Sequence, residues 1–286
     1  MVHGRSGNRA AVFPLEVNGI FVDPLNTCHF SAHSAYPRFN GQVLSTRQLD
    51  DTIDGLIANN IFQNYTHLLT GYLADASIAH QVYTIHKMMN NVTYICDPVL
   101  GDNGHFYSGR NFQTQLDVMK KELIPVADTV TPNSYEAMWL TGYESMNNPH
   151  ELVEVVSSLH NLGPRNIIIT STEWSRRFTY FSWNKGEYQI AVETPSFSRS
   201  FDGPGDVFTA LLLANMINFN DQYETISIRT VNSIYSVLEK TEELHERELA
   251  IYGSVNVMRD PVLRFGCISY EEFVNLQAEA NDSSQV

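Results

Sequence analysis

Residues 201–214 read FDGPGDVFTALLLA and set a Gly-Pro-Gly turn and one acid, Asp206, against an apolar helical run. A helix start of this kind carries about half a positive charge and several unpaired N–H groups, and both attract phosphate. A bare carboxylate would repel a phosphate. Asp206 therefore reads as a group that acts on a proton, polarising a hydroxyl while the turn amides absorb charge on a transferring phosphoryl group. Small-molecule kinases need that pairing. The same residues are also ordinary helix-start chemistry, with Pro at the first helical position, Asp in the first turn and Gly easing the bend. The segment by itself leaves both readings open.

The elements that must position such a turn follow from the hydrophobic pattern. Strands are expected at residues 21–25, 67–70, 92–96, 129–131 and 166–170, interleaved with helices at 8–17, 46–60, 77–90, 112–123, 134–140 and 149–161. Strand, helix, strand repetition predicts an α/β fold with a mainly parallel central sheet covered by helices on both faces. A small β-hairpin is expected next, from runs 178–183 and 188–192 flanking Asn184, Lys185 and Gly186. Two long helices, 205–218 and 222–243, complete the pattern. The chain reads as one domain, 1–286, with a polar tail at 279–286 that is expected to fray.

In an open parallel sheet, ligands bind beyond the carboxyl ends of the strands. Polar clusters stand at those places: Thr70, Gly71 and Tyr72; Asp97 and Asp102; Thr131, Asn133 and Glu136; Thr170 and Ser171. Any one of them alone is capping or turn chemistry. Their convergence on one sheet edge is what favours a site.

With 18 basic against 32 acidic residues the formal charge is −14, a field that repels nucleic acid and anionic membrane surfaces. An anionic nucleotide would need a local set of amides, metal ions and cations to bind against it. Cys28, Cys96 and Cys267 are widely spaced, without the pattern of a zinc site or a disulfide scaffold. With no signal-like or membrane-length apolar run, the chain reads as a cytosolic protein.

Seven segments, taken in order, carry a resemblance: GNRAAVFPLEVNGIFVDPLNT from Gly7, HFSAHSAY from His29, LLTGY from Leu68, YICDPVLGD from Tyr94, VTPNSYEA from Val130, IITST from Ile168 and GPGD from Gly203. Together they resemble the pyridoxal kinases of the ribokinase-like superfamily, and they span nearly the whole chain. The resemblance implies ATP-dependent phosphorylation of the 5′-hydroxyl of pyridoxal, pyridoxine or pyridoxamine, by a homodimer. It assigns Asp206 as base. It implies ATP contacts from Asp97, Asn133, Thr170, Ser171 and the Gly203-Pro204-Gly205 turn. Asp97, Asp102, Thr131, Glu136 and Thr170 would serve metals, with Mg²⁺ near the acids and K⁺ beside the two threonines. Phe30, His33, Ser34, Phe39 and Tyr72 would face the vitamer, with Asp206 at its hydroxyl. From the residues alone, His33 reads more readily as a structural hydrogen-bonding side chain, and Glu136 reads equally as a solvated first-turn acid.

The chain also departs from the family pattern. Relatives begin with a further strand and a serine-containing turn, whereas this sequence starts Met1-Val2-His3, so unpaired edges are expected on that strand's neighbours. Ala32, His33, Ser34 and Ala35 stand where Asn, His, Thr and Gly are common, and Ser6 stands where an apolar residue is usual. Pro204 fills the second place of Gly-X-Gly-Asp and brings no N–H to the anion site. The segments after Asp102 and Thr172 are shorter than in many relatives, which bears on the lid over ATP. Two other functions stay open: a weakly active or inactive relative that binds a vitamer or a protein, and a kinase acting on hydroxymethylpyrimidine.

Overall fold

The computed structural model describes residues 1–107, 111–172, 174 and 176–282. Its central sheet uses strands β3 (His67–Thr70), β4 (Thr93–Cys96), β7 (Thr129–Val130), β8 (Asn166–Ile169), β9 (Arg177–Trp183), β10 (Tyr188–Thr194) and β11 (Cys267–Ser269). They lie in the order β11-β10-β9-β8-β7-β4-β3. The pairs from β3 to β8 are parallel, and β9, β10 and β11 continue the sheet antiparallel. The predicted hairpin is thus built into the sheet. Its turn places Asn184, Lys185 and Gly186 at positive φ, and the Lys185 ammonium caps the carbonyls of His160 and Gly163 at 2.8 and 2.6 Å.

The core lies on both sides of this sheet because successive strand residues face opposite ways. In β8, Ile167 and Ile169 join one cluster and Ile168 the other, all fully buried; each such side chain contributes about 1.5–3 kcal/mol. The first face is covered by α2 (Thr46–Ala58), α3 (Ala76–Met88), α4 (Phe112–Val118), α5 (Ile124–Val126), α6 (Ser134–Thr141), α7 (Pro149–Leu162) and α11 (Tyr270–Asp282). The second is covered by α1 (Asn8–Val17), α8 (Pro204–Phe219), α9 (Tyr223–Glu243) and α10 (Val255–Arg259). Helix α8 is apolar all round, with Val207 through Asn215 buried, so it forms the spine of that layer.

Two small antiparallel pairs decorate the sheet. Strands β1 (Cys28–Phe30) and β2 (Gly41–Val43) carry the segment around His33, and β5 (Gly101–Asp102) and β6 (His105–Phe106) meet through Asn103 and Gly104, both at positive φ. The 21–25 strand does not form. Pro24 lacks an N–H, Phe21 is fully exposed, and among the described residues the segment pairs with no strand; β3 is the sheet's edge. At the C-terminus α11, anchored by the buried Phe273, continues to Asp282, through part of the segment expected to fray. Residues 283–286 lie outside the described residues. So do residues 108–110, 173 and 175, within the two segments tied to the lid.

Candidate active site

Because β3, β4, β7 and β8 are parallel, the residues that follow them emerge at one edge, opposite the start of α8. Gly203 caps that helix in the left-handed conformation, φ 82°, and a side chain there would meet the Arg5 carbonyl at 2.5 Å. Glycine is required on both counts. Pro204 follows at the first helical position, where the missing N–H breaks no helical bond. The first-turn amides of Gly205 and Asp206 lack intrahelical partners by geometry.

Asp206 is placed by two glycine contacts. Gly7 donates its N–H to Oδ2 at 2.8 Å, and Gly71, after β3, lies so close that an added Cβ would sit 3.4 Å from Oδ1. Burial pushes the Asp206 carboxyl up to about 6, against the lowering effect of the Gly7 N–H. A group with that value is mostly ionised at neutral pH yet basic enough to accept a proton.

Asp97 stands beside the same turn, its Oδ2 at 3.6 Å from the point where a Gly205 Cβ would be. It is 6% exposed, and burial, then the charges of Glu136 and Asp206, raise its carboxyl well above the usual range. Thr209, one turn along α8 from Asp206, donates to Asp97 at 3.5 Å and shares a 3.0 Å hydroxyl bond with Thr131. Thr209 thus joins β4, β7 and α8.

Glu136 is buried, which excludes the solvated first-turn reading. Its carboxylate accepts from the N–H groups of Asn133 at 2.9 Å and Leu100 at 2.9 Å, with Gly101 at 3.4 Å. Burial nevertheless holds its carboxyl up at about 7. Asn133 completes the capping box, accepting from Glu136 N–H while its amide donates to the Gly101 carbonyl, both at 2.9 Å. This pair pins the 97–102 loop onto α6. Asp102 is exposed and bonds Asn103. Thr170 packs on the Pro132 carbonyl, N–H at 3.0 Å and hydroxyl at 3.4 Å, with the half-buried Ser171 beside it.

Among the described residues no three His, Cys, Asp or Glu side chains converge as a metal-ligand set. The five predicted metal residues therefore do not form a closed cage. Mg²⁺ does not need one, since it keeps several waters and binds through one or two carboxylates plus phosphate oxygens. Asp97 fits that role: it is a buried carboxylate with a long hydrogen bond and two acidic neighbours. Thr131 and Thr170 offer neutral oxygens, which suit a monovalent ion, although both hydroxyls already have protein partners.

The expected vitamer residues divide. Phe30 and Phe39 form an edge-to-face pair with centroids 5.5 Å apart, and Phe39 is 41% exposed. Tyr72 is half-buried, its phenol raised by burial, then by Cys28 and Asp75. Ser34 is exposed. His33 is buried, its Nε2 donating to Glu248 Oε1 at 3.0 Å, the arrangement expected of a structural hydrogen-bonding histidine.

Sequence reasoning missed Gly7, Thr209, Tyr107 and Glu248. Tyr107 is 48% exposed, and its phenol is raised by partial burial and by the charges of Asp102, Glu136, Asp202 and Asp206. Only Thr209 had a local signal, three residues beyond Asp206 on one helix face. A cavity of about 550 Å³ at the opposite end of the sheet, lined by His67, Arg165 and Asp221 among others, includes none of these groups.

The family model described as phosphomethylpyrimidine kinase matches residues 50–247. A pyridoxal kinase of Arabidopsis thaliana is 35% identical over 255 residues, covering 86% of this chain and 81% of the relative. The pyridoxal kinase of Bos taurus is 34% identical over 262 residues, with coverage of 84% and 82%. Among solved structures, pyridoxal kinase from Leishmania donovani in complex with ADP and pyridoxamine superposes with a TM-score of 0.83 at 25% identity, over 93% of this chain and 96% of that one. A ribokinase-like sheet whose parallel edge faces Asp206, joined to relatives of this identity and coverage, makes the chain a member of the pyridoxal kinase family.

Proposed function

We propose that this chain transfers the γ-phosphoryl group of ATP to the 5′-hydroxyl of pyridoxal, pyridoxine or pyridoxamine. The observation that carries the reading is Asp206, a carboxylate pushed up to about 6, fixed by Gly7 and standing in the first turn of a 16-residue helix. The acceptor oxygen bonds to phosphorus as its proton passes to Asp206, and the bond from phosphorus to the β,γ-bridging oxygen breaks to release ADP. The amides of Gly205 and Asp206 hold the charge on the transferring group, a role that Pro204 cannot share.

Asp97, with waters, is the group that would hold Mg²⁺, which supplies charge neutralisation on the phosphates when bound. Glu136 and Asn133 set the loop that carries Asp97, and Thr170 with Ser171 borders the phosphates. Thr131 and Thr170 would flank K⁺. Phe30, Phe39 and Tyr72 supply walls for a flat pyridine, with His33 and Ser34 as polar partners, the mixture that small-ligand pockets use. The family resemblance supports a homodimer in the cytosol, and the chain acts as one catalytic domain in this reading. No helix among the described residues is long and apolar enough to cross a membrane.

The test is phosphorylation of each vitamer by the purified protein with ATP, Mg²⁺ and K⁺, the product identified by mass. Hydroxymethylpyrimidine is the competing acceptor, because the matching family model carries the phosphomethylpyrimidine kinase description. Turnover of the pyrimidine without turnover of any vitamer would overturn the proposal.

A further inference from the structure

The half-buried carboxylate of Glu248 joins segments that are far apart in sequence. It accepts the Arg5 N–H at 2.6 Å, His33 Nε2 at 3.0 Å and the Tyr36 hydroxyl at 2.6 Å. The His33 side chain is 7% exposed and that of Glu248 13%, so water competes little for these bonds. Burial alone would raise the Glu248 carboxyl, but the hydrogen bonds from Tyr36, His33 and Arg5 outweigh it and hold the group below its usual range.

The imidazole is wedged as well as bonded. Gly4, at φ 100°, passes so close that an added Cβ would lie 2.6 Å from His33 Cδ2, and Tyr36 packs on the ring with centroids 4.8 Å apart. The residues around Glu248 repeat the connection. The Arg247 guanidinium sits 4.0 Å from the Tyr36 ring centroid and donates to the Ala35 carbonyl, and Arg5 donates to the Leu249 carbonyl. The Arg5–Gly7 turn then leads directly to the N–H that holds Asp206.

We propose that Glu248 is a positioning residue for the acceptor pocket: it fixes His33 with the proton on Nε2, leaving Nδ1 to face the ligand, and ties that ring to the turn that holds Asp206. This rests on the reading of His33 as a vitamer contact. Glu248 itself touches no reacting atom, so its loss should act on acceptor binding through His33. A buried hydrogen bond to a charged group contributes enough to change binding by about tenfold or more.

Glu248→Gln should raise the KM for pyridoxal about tenfold or more while the KM for ATP moves by less than about threefold. In a His33→Asn background the same change should add less than about twofold, as a double-mutant cycle requires when one residue acts through another. The imidazole nitrogen resonances of His33 read the tie without any activity: the wild type should show the Nε2–H form, and Glu248→Ala, which removes the acceptor, should lose it. Tyr36→Phe, which removes one of three donors, should keep the His33 signature and give a smaller rise of the same sign. Unchanged His33 resonances in Glu248→Ala, additive effects in the cycle, or equal rises in both KM values would each overturn the proposal. Wild-type protein with the His33 signature but no turnover of any vitamer would instead sink the functional reading and leave the tie established.

Discussion

At the scale of residues, the site turns on the difference between Asp206 and its amide. Asp206→Asn keeps an oxygen to accept the Gly7 N–H but deletes the proton acceptor, so kcat should fall by about 100-fold or more while ATP affinity changes little. Wild-type turnover in that variant would remove Asp206 as base. The raised carboxyl also makes a stability prediction. A carboxyl raised from 3.8 to about 6 binds its proton more tightly folded than unfolded, so at neutral pH the ionised group destabilises the fold, and the penalty is relieved as pH falls through 6. The Asn variant should therefore melt higher than wild type at pH 7.5, by a free energy on the order of 2 kcal/mol, with the advantage shrinking by pH 5. The proposed reaction runs the other way, since Asp206 would have to be ionised to accept a proton. The wild-type kcat/KM should drop tenfold per unit as pH falls below about 6, and a flat profile down to pH 5 would contradict this assignment.

At the scale of elements, the close approach of the 203–206 turn to the N-terminal segment makes Gly203 the sensitive position. Gly203→Ala meets both a positive φ and the Arg5 carbonyl, so it should cost about 1–3 kcal/mol from the backbone alone, lower the melting temperature and reduce kcat. Gly205→Ala, with ordinary space beside Asp97, should be the milder change; the reverse order of stability would contradict this packing. Pro204→Thr restores an N–H at the helix start and should raise turnover about tenfold if that donor matters, roughly 1.4 kcal/mol. Unchanged turnover would mean that the two following amides suffice.

The same turn shows what a sequence reveals. β3, β4, β7, β8 and α8 are legible because apolar runs ending in polar clusters signal buried elements and their edges. β1, β2 and β11 are three-residue strands created by tertiary pairing, with no periodicity of their own. The β5–β6 turn did carry an Asn-Gly signal, but its two-residue strands were too short for alternation to frame it. Residues 21–25 fail in the opposite direction, since an apolar run is a strand only where a ladder partner exists. In the site, Asp206 and Asp97 were visible beside turns, whereas Glu248 meets its partners across 212 to 243 residues and leaves no local trace.

At the scale of the whole molecule, the −14 charge works against the proposed co-substrate, because ATP must approach a site that already groups Asp97, Glu136 and Asp206. Screening should help binding. The Debye length shortens from about 30 Å at 0.01 M salt to about 8 Å at 0.15 M, which removes most of the distant repulsion while leaving contacts inside the cleft nearly intact. With free Mg²⁺ held constant, raising tetramethylammonium chloride across that range should lower the KM for ATP by about two- to fivefold. A KM that rises instead would show that local attraction outweighs the global field. Exchanging tetramethylammonium for K⁺ at fixed ionic strength separates the second effect, because screening is then constant and any further gain belongs to an ion seated on oxygens such as those of Thr131 and Thr170. K⁺ should raise kcat/KM above the tetramethylammonium value, and Thr131→Val should abolish that increment while leaving the screening effect in place. Equal activity in the two salts would remove the monovalent site from the proposal and leave Asp97 and the helix amides to hold the phosphates.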